Sequence, residues 1–312
     1  MLQSKNQTSS TAIWCLTIYA ILSFYYFGVI MTNYMIVYPT FPKVHENYQH
    51  FLGTFNQRMN ILMLAPSLLM MIAGVFLVRF NNEKRDRVIL ASSLGLCCIS
   101  IFTAFIIITP IHQTLANAFD ELLFQRLLQT TIFFQIIPMA LQLCLLIWIL
   151  NKQLKETSLS GRWIFILFFA LTFYTFGTSY SDVFLSFPLY LAVGETDWMA
   201  YRTAVEPAAF FGTFLIPAYL PLFLILPMYW KRPKGIPRYF ITLYTIGLLW
   251  IVFISATYFV PHIQVALSQG YSRALIEELL MNEVPLREYP SLLMFVMVAL
   301  MLVRSRQASL QE

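Results

Sequence analysis

The sequence predicts an all-α membrane protein whose eight transmembrane helices form two four-helix repeats of parallel orientation. Hydrophobic residues make up 59% of the 312 residues and charged residues only 11%, whereas about a quarter of the residues of a soluble domain are charged. Apolar runs of about twenty residues, the length that crosses the hydrocarbon core of a bilayer, occur eight times. Several uncommon residues of the first half also return in the second half in the same order.

The apolar runs give the predicted spans in chain order. They cover residues 12–38, 59–80, 88–110, 128–150, 162–187, 207–230, 238–260 and 289–303. The first run continues for about twenty-five residues without a small-residue cleavage site, so we expect a retained helix instead of a removed signal peptide. The eighth run is short, and Tyr289-Pro290 directly precedes it.

Basic residues are concentrated in alternate connections. The connections after spans two, four and six read FNNEKRDR, NKQLKETSLSGR and WKRPKGIPR, and Arg304 and Arg306 follow span eight. The other connections, at 39–58, 111–127, 188–206 and 261–288, are longer and mixed or acidic. The positive-inside rule therefore predicts that both termini are cytoplasmic and that the longer connections lie outside. In a bacterium, this arrangement corresponds to the inner membrane.

The two halves share a series of residues at nearly constant spacing. Trp14, Phe24-Tyr25-x-Phe27-Gly28 and Asn33 recur 149 residues later as Trp163, Phe173-Tyr174-x-Phe176-Gly177 and Asp182. Pro66, Pro110 and Gln113 recur 151 residues later as Pro217, Pro261 and Gln264. Because each unit has four spans, both insert with the same orientation, and a pseudo-two-fold axis along the membrane normal should relate them. We predict a first repeat at 1–151 and a second at 152–312.

Polar residues gather near the outer ends of the predicted spans. Asn33 and Asp182 occupy the same repeat position, about one turn before the outer ends of spans one and five. A carboxylate at that depth is costly unless it is partnered or hydrated, which favours a functional or cavity-lining role. An interfacial Asp that reaches headgroup water is the alternative.

The candidate catalytic residues are Asp182, His112 and His262. The candidate substrate-binding residues are Asn33, Arg58, Gln113, Arg202, Glu206 and Gln264. All four histidines fall outside the predicted spans, and ordinary surface histidines are the competing interpretation. A metal site of His112, His262 and a carboxylate such as Asp182 or Glu206 is geometrically conceivable, but neither HxxxH nor ExxH spacing supports it, so surface histidines are favoured and no metal site is predicted. The arginines could hold an anionic group, or they could reach lipid headgroups and nearby carboxylates.

Each half resembles the anthrone-oxygenase-like family of small four-helix membrane proteins. The resemblance lies in an aromatic-glycine first span that runs into a proline, an amphipathic outer stretch, and a TP-type motif at the end of the third span. That motif reads Thr109-Pro110-Ile111-His112-Gln113-Thr114-Leu115, and the second copy, which begins at Val260-Pro261, is one residue out of register. The resemblance implies an outward-facing pocket for a hydrophobic, polycyclic or quinonoid molecule, with oxygen chemistry and no assigned cofactor.

These observations predict a membrane protein that binds or transforms a lipophilic small molecule in an outward-facing pocket between the two repeats. The alternatives are a transporter or channel, and an accessory subunit of a membrane complex. Besides this ligand, the expected partners are membrane lipids and, for the last alternative, other membrane subunits. No Lys/Arg cluster alternates with stacking aromatics in a polar segment, so the net charge of +5 does not indicate nucleic-acid binding and is better explained by membrane orientation.

Overall fold

A computed structural model describes residues 2–81, 83–154 and 157–308. The described chain is mostly helical, without strands, and has eight helices long and apolar enough to cross a membrane. The predicted fold class, an all-α polytopic membrane protein, is therefore confirmed. The eight helices are α1 (Ser10–Lys43, continuing a helix that begins at Leu2), α2 (Tyr48–Phe80), α3 (Lys84–Asn117), α4 (Glu121–Gln153), α5 (Leu159–Val193), α6 (Pro207–Lys231), α7 (Arg238–Gln269) and α8 (Arg273–Ala308).

The helices extend well beyond most of the predicted spans, and the predicted longer connections are mostly helical. Helix α8 begins at Arg273 and not at residue 289, so most of the predicted connection 261–288 belongs to α7 and α8. The cause is amphipathic sequence: Ile276, Leu279 and Glu283 recur at helical spacing and are buried against the bundle. The Ser272 hydroxyl accepts a hydrogen bond from the Leu275 amide at the start of the helix.

Short connections remain at both ends of the bundle. The end of the bundle opposite the basic connections is called the distal end here, and it carries the connections 44–47, 118–120, 194–206 and 270–272. Connection 194–206 contains a short helix, Trp198–Arg202. The opposite end carries the connections 81–83, 154–158 and 232–237 together with Ala308, where α8 ends. There the Lys152 ammonium contacts the carboxylates of Glu83 and Asp86. Lys155, one of the basic residues behind the predicted orientation, lies outside the described residues.

A proline stands six residues after the first residue of each of the seven π-helical turns of the described chain. Six of these prolines lie just beyond the turn, and Pro261 lies within the longer turn Ser255–Gln264. The turns begin at Asn33, Ala104, Ile132, Asp182, Phe211, Ser255 and Val284, and the prolines stand six residues further on, at Pro39, Pro110, Pro138, Pro188, Pro217, Pro261 and Pro290. Proline lacks an N–H and its ring clashes with the carbonyl of residue i−4, so the turn before it widens. Three of these turns recur 149, 151 and 152 residues later, which supports the predicted repeat.

Helices α1 and α5 form the centre of the bundle. Their aromatic side chains pack reciprocally: Tyr25 contacts Phe176 at a centroid distance of 5.2 Å, and Phe27 contacts Tyr174 at 6.1 Å. Since Tyr174 and Phe176 stand 149 residues after Tyr25 and Phe27, each pair is the counterpart of the other. This reciprocity is what a two-fold relationship between the halves predicts.

Candidate functional site

A cavity of about 640 Å³ lies in the distal part of the second half of the chain. Its wall is formed by α5, α6, α7, α8 and the short helix Trp198–Arg202, and α1 contributes only Ile36 and Thr40. The sequence predicted a pocket between the repeats, whereas this cavity lies almost wholly within the second. Much of the wall is aromatic or aliphatic, including Phe187, Phe210, Phe211, Phe214, Leu248, Ile251, Val252 and Phe259.

Arg202 supplies a guanidinium group to the polar side of the cavity. Its Nη1 donates to the Tyr190 hydroxyl at 3.0 Å and its Nη2 donates to Gln264 Oε1 at 3.3 Å. The guanidinium carbon lies 5.5 Å and 5.7 Å from the ring centroids of Tyr190 and Trp198, which hold the side chain by cation–π contact. No salt bridge of the described residues includes Arg202, so its positive charge is available to a ligand.

The short helix is anchored by its aromatic residues. Trp198 is completely buried and its Nε1 donates to the Leu267 carbonyl at 2.8 Å. Tyr201 is also buried and faces the cavity. Burial raises the pKa of the Tyr201 phenol well above its ordinary value, so this hydroxyl remains protonated and can donate to a ligand.

Asp182 occupies the first position of the π-helical turn of α5 and lines the cavity. Its carboxylate interacts electrostatically with Arg287 and Arg202, yet within the described part of the chain no salt bridge includes it. π-Helical turns are frequent at functional sites. The prediction that Asp182 lines a cavity is therefore supported by its position, and its chemical role stays a prediction.

Helix α8 adds three charged residues to this region. Glu283 and Arg287 form an ion pair of 2.7 Å and both line the cavity. Glu288 Oε1 accepts a hydrogen bond of 2.8 Å from the Ser179 hydroxyl. The Oε2 atoms of Glu283 and Glu288 are buried and have no hydrogen-bond partner. Three carboxylates and two guanidinium groups thus share one buried region, and the carboxylates retain capacity to accept hydrogen bonds.

The corresponding region of the first half is filled with aromatic rings. His112 is 4% exposed, and its ring centroid lies 4.9 Å from Phe55, 5.6 Å from Tyr38 and 6.2 Å from Phe41. The interpretation of His112 as a surface histidine outside a span is therefore wrong, because α3 continues to Asn117 and buries it. Asn33 is also buried, and its Nδ2 donates to Met59 Sδ at 3.2 Å. Neither side chain lines the cavity.

The structure brings together only some of the predicted site residues. Asp182, Arg202 and Gln264 line one cavity. The remaining candidates are outside its wall: His112, His262, Asn33, Arg58, Gln113 and Glu206. Gln113 and Glu206 are exposed. The sequence did not indicate three further residues of this region, Glu283, Arg287 and Glu288, because residues 261–288 were assigned to a connection. The helical spacing of Ile276, Leu279 and Glu283 is the signal that could have identified them.

His262 belongs to a separate polar cluster between α7 and α8. Its Nε2 lies 3.1 Å from Glu278 Oε1, which also accepts a hydrogen bond of 2.6 Å from the Tyr258 hydroxyl. The side chain of His262 is 53% exposed. Within the described residues, no group of three or more His, Cys, Asp and Glu side chains is placed to hold a metal ion.

Comparison of the chain with protein families, with characterised proteins and with solved structures gave no match.

Proposed function

We propose that the protein binds a lipophilic small molecule with a polar end group in the cavity of its second half. The observation that carries this proposal is that Arg202 and Asp182 line one largely apolar cavity, and that neither forms an ion pair with another described residue. Ionisable groups inside a membrane protein are costly, and they usually contact a substrate, an ion or one another. A ligand oxygen could accept from Arg202 while a ligand hydroxyl or amine donates to Asp182.

The size and composition of the cavity support a compact organic ligand. Pockets for small molecules usually have volumes of roughly 300–1,000 Å³, mostly apolar walls and a few convergent polar groups. The cavity of about 640 Å³ has these properties. Its aromatic rings suit a planar or polycyclic body, and its polar groups suit a carbonyl, phenol or similar end group.

The distribution of basic residues supports an outward-facing site. The cavity lies toward the distal end, and the basic connections lie at the opposite end. We propose from the positive-inside rule that both termini are cytoplasmic. Labelling of single cysteines in 194–206 and 232–237 with a membrane-impermeant maleimide on intact cells tests this orientation, which fails if 232–237 is the segment labelled.

The binding proposal is tested by the small molecules that co-purify with the protein in mild detergent. We expect mass spectrometry to detect a retained compound whose amount falls about tenfold in Arg202→Gln, because a charged hydrogen bond is removed. Arg58→Gln is the matched control, since Arg58 is a half-buried arginine outside the cavity wall. If no compound, lipid included, depends on Arg202, the proposal is wrong.

The resemblance to the anthrone-oxygenase-like family extends this proposal from binding to oxygen chemistry. Asp182 would accept a proton from a phenolic or enolic ligand, and Arg202 would stabilise the resulting oxyanion. Dioxygen would be the oxidant. Oxygen consumption with an anthrone as the probe tests this extension, which fails if the rate is unchanged in Asp182→Asn.

A proton-coupled transporter is the second candidate, favoured by the unpartnered carboxylate oxygens of Glu283 and Glu288. Carboxylates inside membrane helices are common in proton pathways. Proton flux into proteoliposomes, read with an entrapped pH-sensitive dye, would decide this: a flux lost in Glu283→Gln favours transport, and no flux in the wild type argues against it.

A further inference from the structure

The two halves differ in how their second and third helices pack. Helices α2 and α3 contact one another both near their connecting loop and at the distal end, where Thr109–Asn117 packs on α2. Helices α6 and α7 contact one another less extensively, through Ile216–Lys231 and Arg238–Ile254, and their distal segments 207–215 and 255–269 do not pack extensively on each other. Burial reflects this difference: 39% of the apolar stretch is buried in α2 and in α3, against 17% in α6 and 22% in α7.

The separation has a local cause in the sequence. Helix α2 is continuous from Tyr48, whereas the equivalent stretch of the second half is broken after the short helix Trp198–Arg202 and resumes only at Pro207. The residue before a proline is disfavoured in the α conformation, and Glu206 accordingly has an extended backbone, with φ −64° and ψ 136°. The break lets α6 start away from α7.

The separated helices are themselves two walls of the cavity. Phe210, Phe211 and Phe214 line it from α6, and Val252, Ser255 and Val260 line it from α7. Phe211 of α6 and Val260 of α7 line the cavity and are also 53% and 51% exposed, so the cavity is open to the outer surface of the bundle between these two helices. Most of these six side chains are apolar, so an acyl or isoprenoid chain can lie between them.

We propose that the ligand is an amphiphile dissolved in the bilayer, which enters sideways between α6 and α7 and leaves its tail in the gap. This inference rests on the proposed binding function and names its substrate class. The polar head reaches Arg202 and Asp182, the cavity holds the head and the first part of the tail, and the rest of the tail remains among the bilayer lipids. A water-borne solute would have no need for an apolar side opening.

Photolabelling in vesicles tests this route in the unmodified chain. The probe is a phosphatidylcholine with a diazirine near the carbonyl end of one acyl chain, the part of the tail that the cavity would hold, and peptide mass spectrometry locates the labelled residues. Leu248 and Thr178 line the cavity and are only 7% and 1% exposed, so annular lipid does not reach them. Their counterparts in the filled half, Cys97 and Val29, are buried and serve as internal controls.

In the wild type we expect the probe to label Leu248 and Thr178 but not Cys97 and Val29. In Arg202→Gln, the label on the two cavity residues should fall about tenfold, because a charged hydrogen bond to the head of the lipid is lost. Equal cavity label in the wild type and in Arg202→Gln would support lateral entry and contradict the polar anchoring of the proposed function. Label confined to lipid-facing residues such as Phe223, which is 74% exposed, would overturn lateral entry. A co-purified compound that depends on Arg202 would then still support the binding function.

Discussion

Gly28 of α1 and Gly177 of α5 lie against each other where the two central helices cross. A Cβ atom on Gly28 would overlap the Tyr174 carbonyl oxygen, and a Cβ atom on Gly177 would overlap the Tyr25 carbonyl oxygen. Backbone, unlike a flexible side chain, cannot move aside cheaply. Small residues permit such close helix approach in membrane proteins, so these two glycines fix the distance between the halves.

Gly177→Ala is expected to destabilise the protein by about 1–3 kcal/mol, because the added methyl group forces the central helices apart. Gly95→Ala is the matched control in another membrane helix, since nothing lies within 4 Å of a Cβ atom there, and it should be neutral or slightly stabilising. Unfolding in mixed detergent measures both variants. Equal stability of the two variants would contradict the proposed crossing.

Arg287→Met is expected to destabilise the protein by about 3–5 kcal/mol, because the buried Glu283 carboxylate loses its ion-pair partner. The double variant Glu283→Met with Arg287→Met should recover part of this loss, since the unpaired Glu283 carboxylate is removed, while Asp182 and Glu288 still lose their electrostatic interaction with Arg287. The same unfolding measurement, arranged as a double-mutant cycle, yields the coupling between the two residues. Additive effects would show that the two side chains do not interact.

Arg202→Lys is expected to retain less ligand than the wild type but more than Arg202→Gln. Lysine keeps the positive charge, but it cannot donate to Tyr190 and Gln264 in the planar geometry of a guanidinium group. The amount of co-purified compound measures the order of the three proteins. A lysine variant as poor as the glutamine variant would mean that donor geometry matters more than charge.

Asp197→Ala is expected to loosen the connection 44–47 and to cost about 1–3 kcal/mol, because two backbone amides lose their acceptor. Asp197 Oδ2 accepts from the amides of His45 and Glu46 at 2.6 Å and 2.9 Å. Hydrogen exchange of these amides should accelerate in the variant. Asp197→Asn retains a side-chain acceptor and is the control that should exchange more slowly than Asp197→Ala.

The sequence was sufficient to predict the membrane class and the number of spans. The bilayer itself sets the length of each apolar run and the alternation of basic connections, so neither depends on how the helices pack. It was insufficient for the helix ends, because amphipathic stretches such as 273–288 have too many polar residues for a span and still continue the helix. This explains both errors at the site: Glu283 was assigned to a connection, and His112 was placed outside the spans.

The cavity itself was beyond sequence reasoning for a different reason. Asp182 and Arg202 could be selected because charge is costly near the hydrocarbon. Whether the space beside them is empty depends on the break before Pro207 and on how α6 then packs. In the first half, similar helices close on Phe41, Phe55 and His112. Pro207, which has no counterpart there, marks the break in the sequence but does not reveal how α6 packs after it.

The π-helical turn at Asp182–Ser186 acts as a rotational offset within α5. One additional residue in a helix turns everything beyond it by about 100° around the helix axis. Gly177 and Tyr174, before the turn, can therefore face α1, while Tyr190, beyond it, faces the cavity. The crossing and the cavity wall thus share one helix: Thr178, before the turn, lines the cavity and lies beside Gly28, whereas Tyr190, beyond the turn, can change the specificity of the wall without altering the crossing.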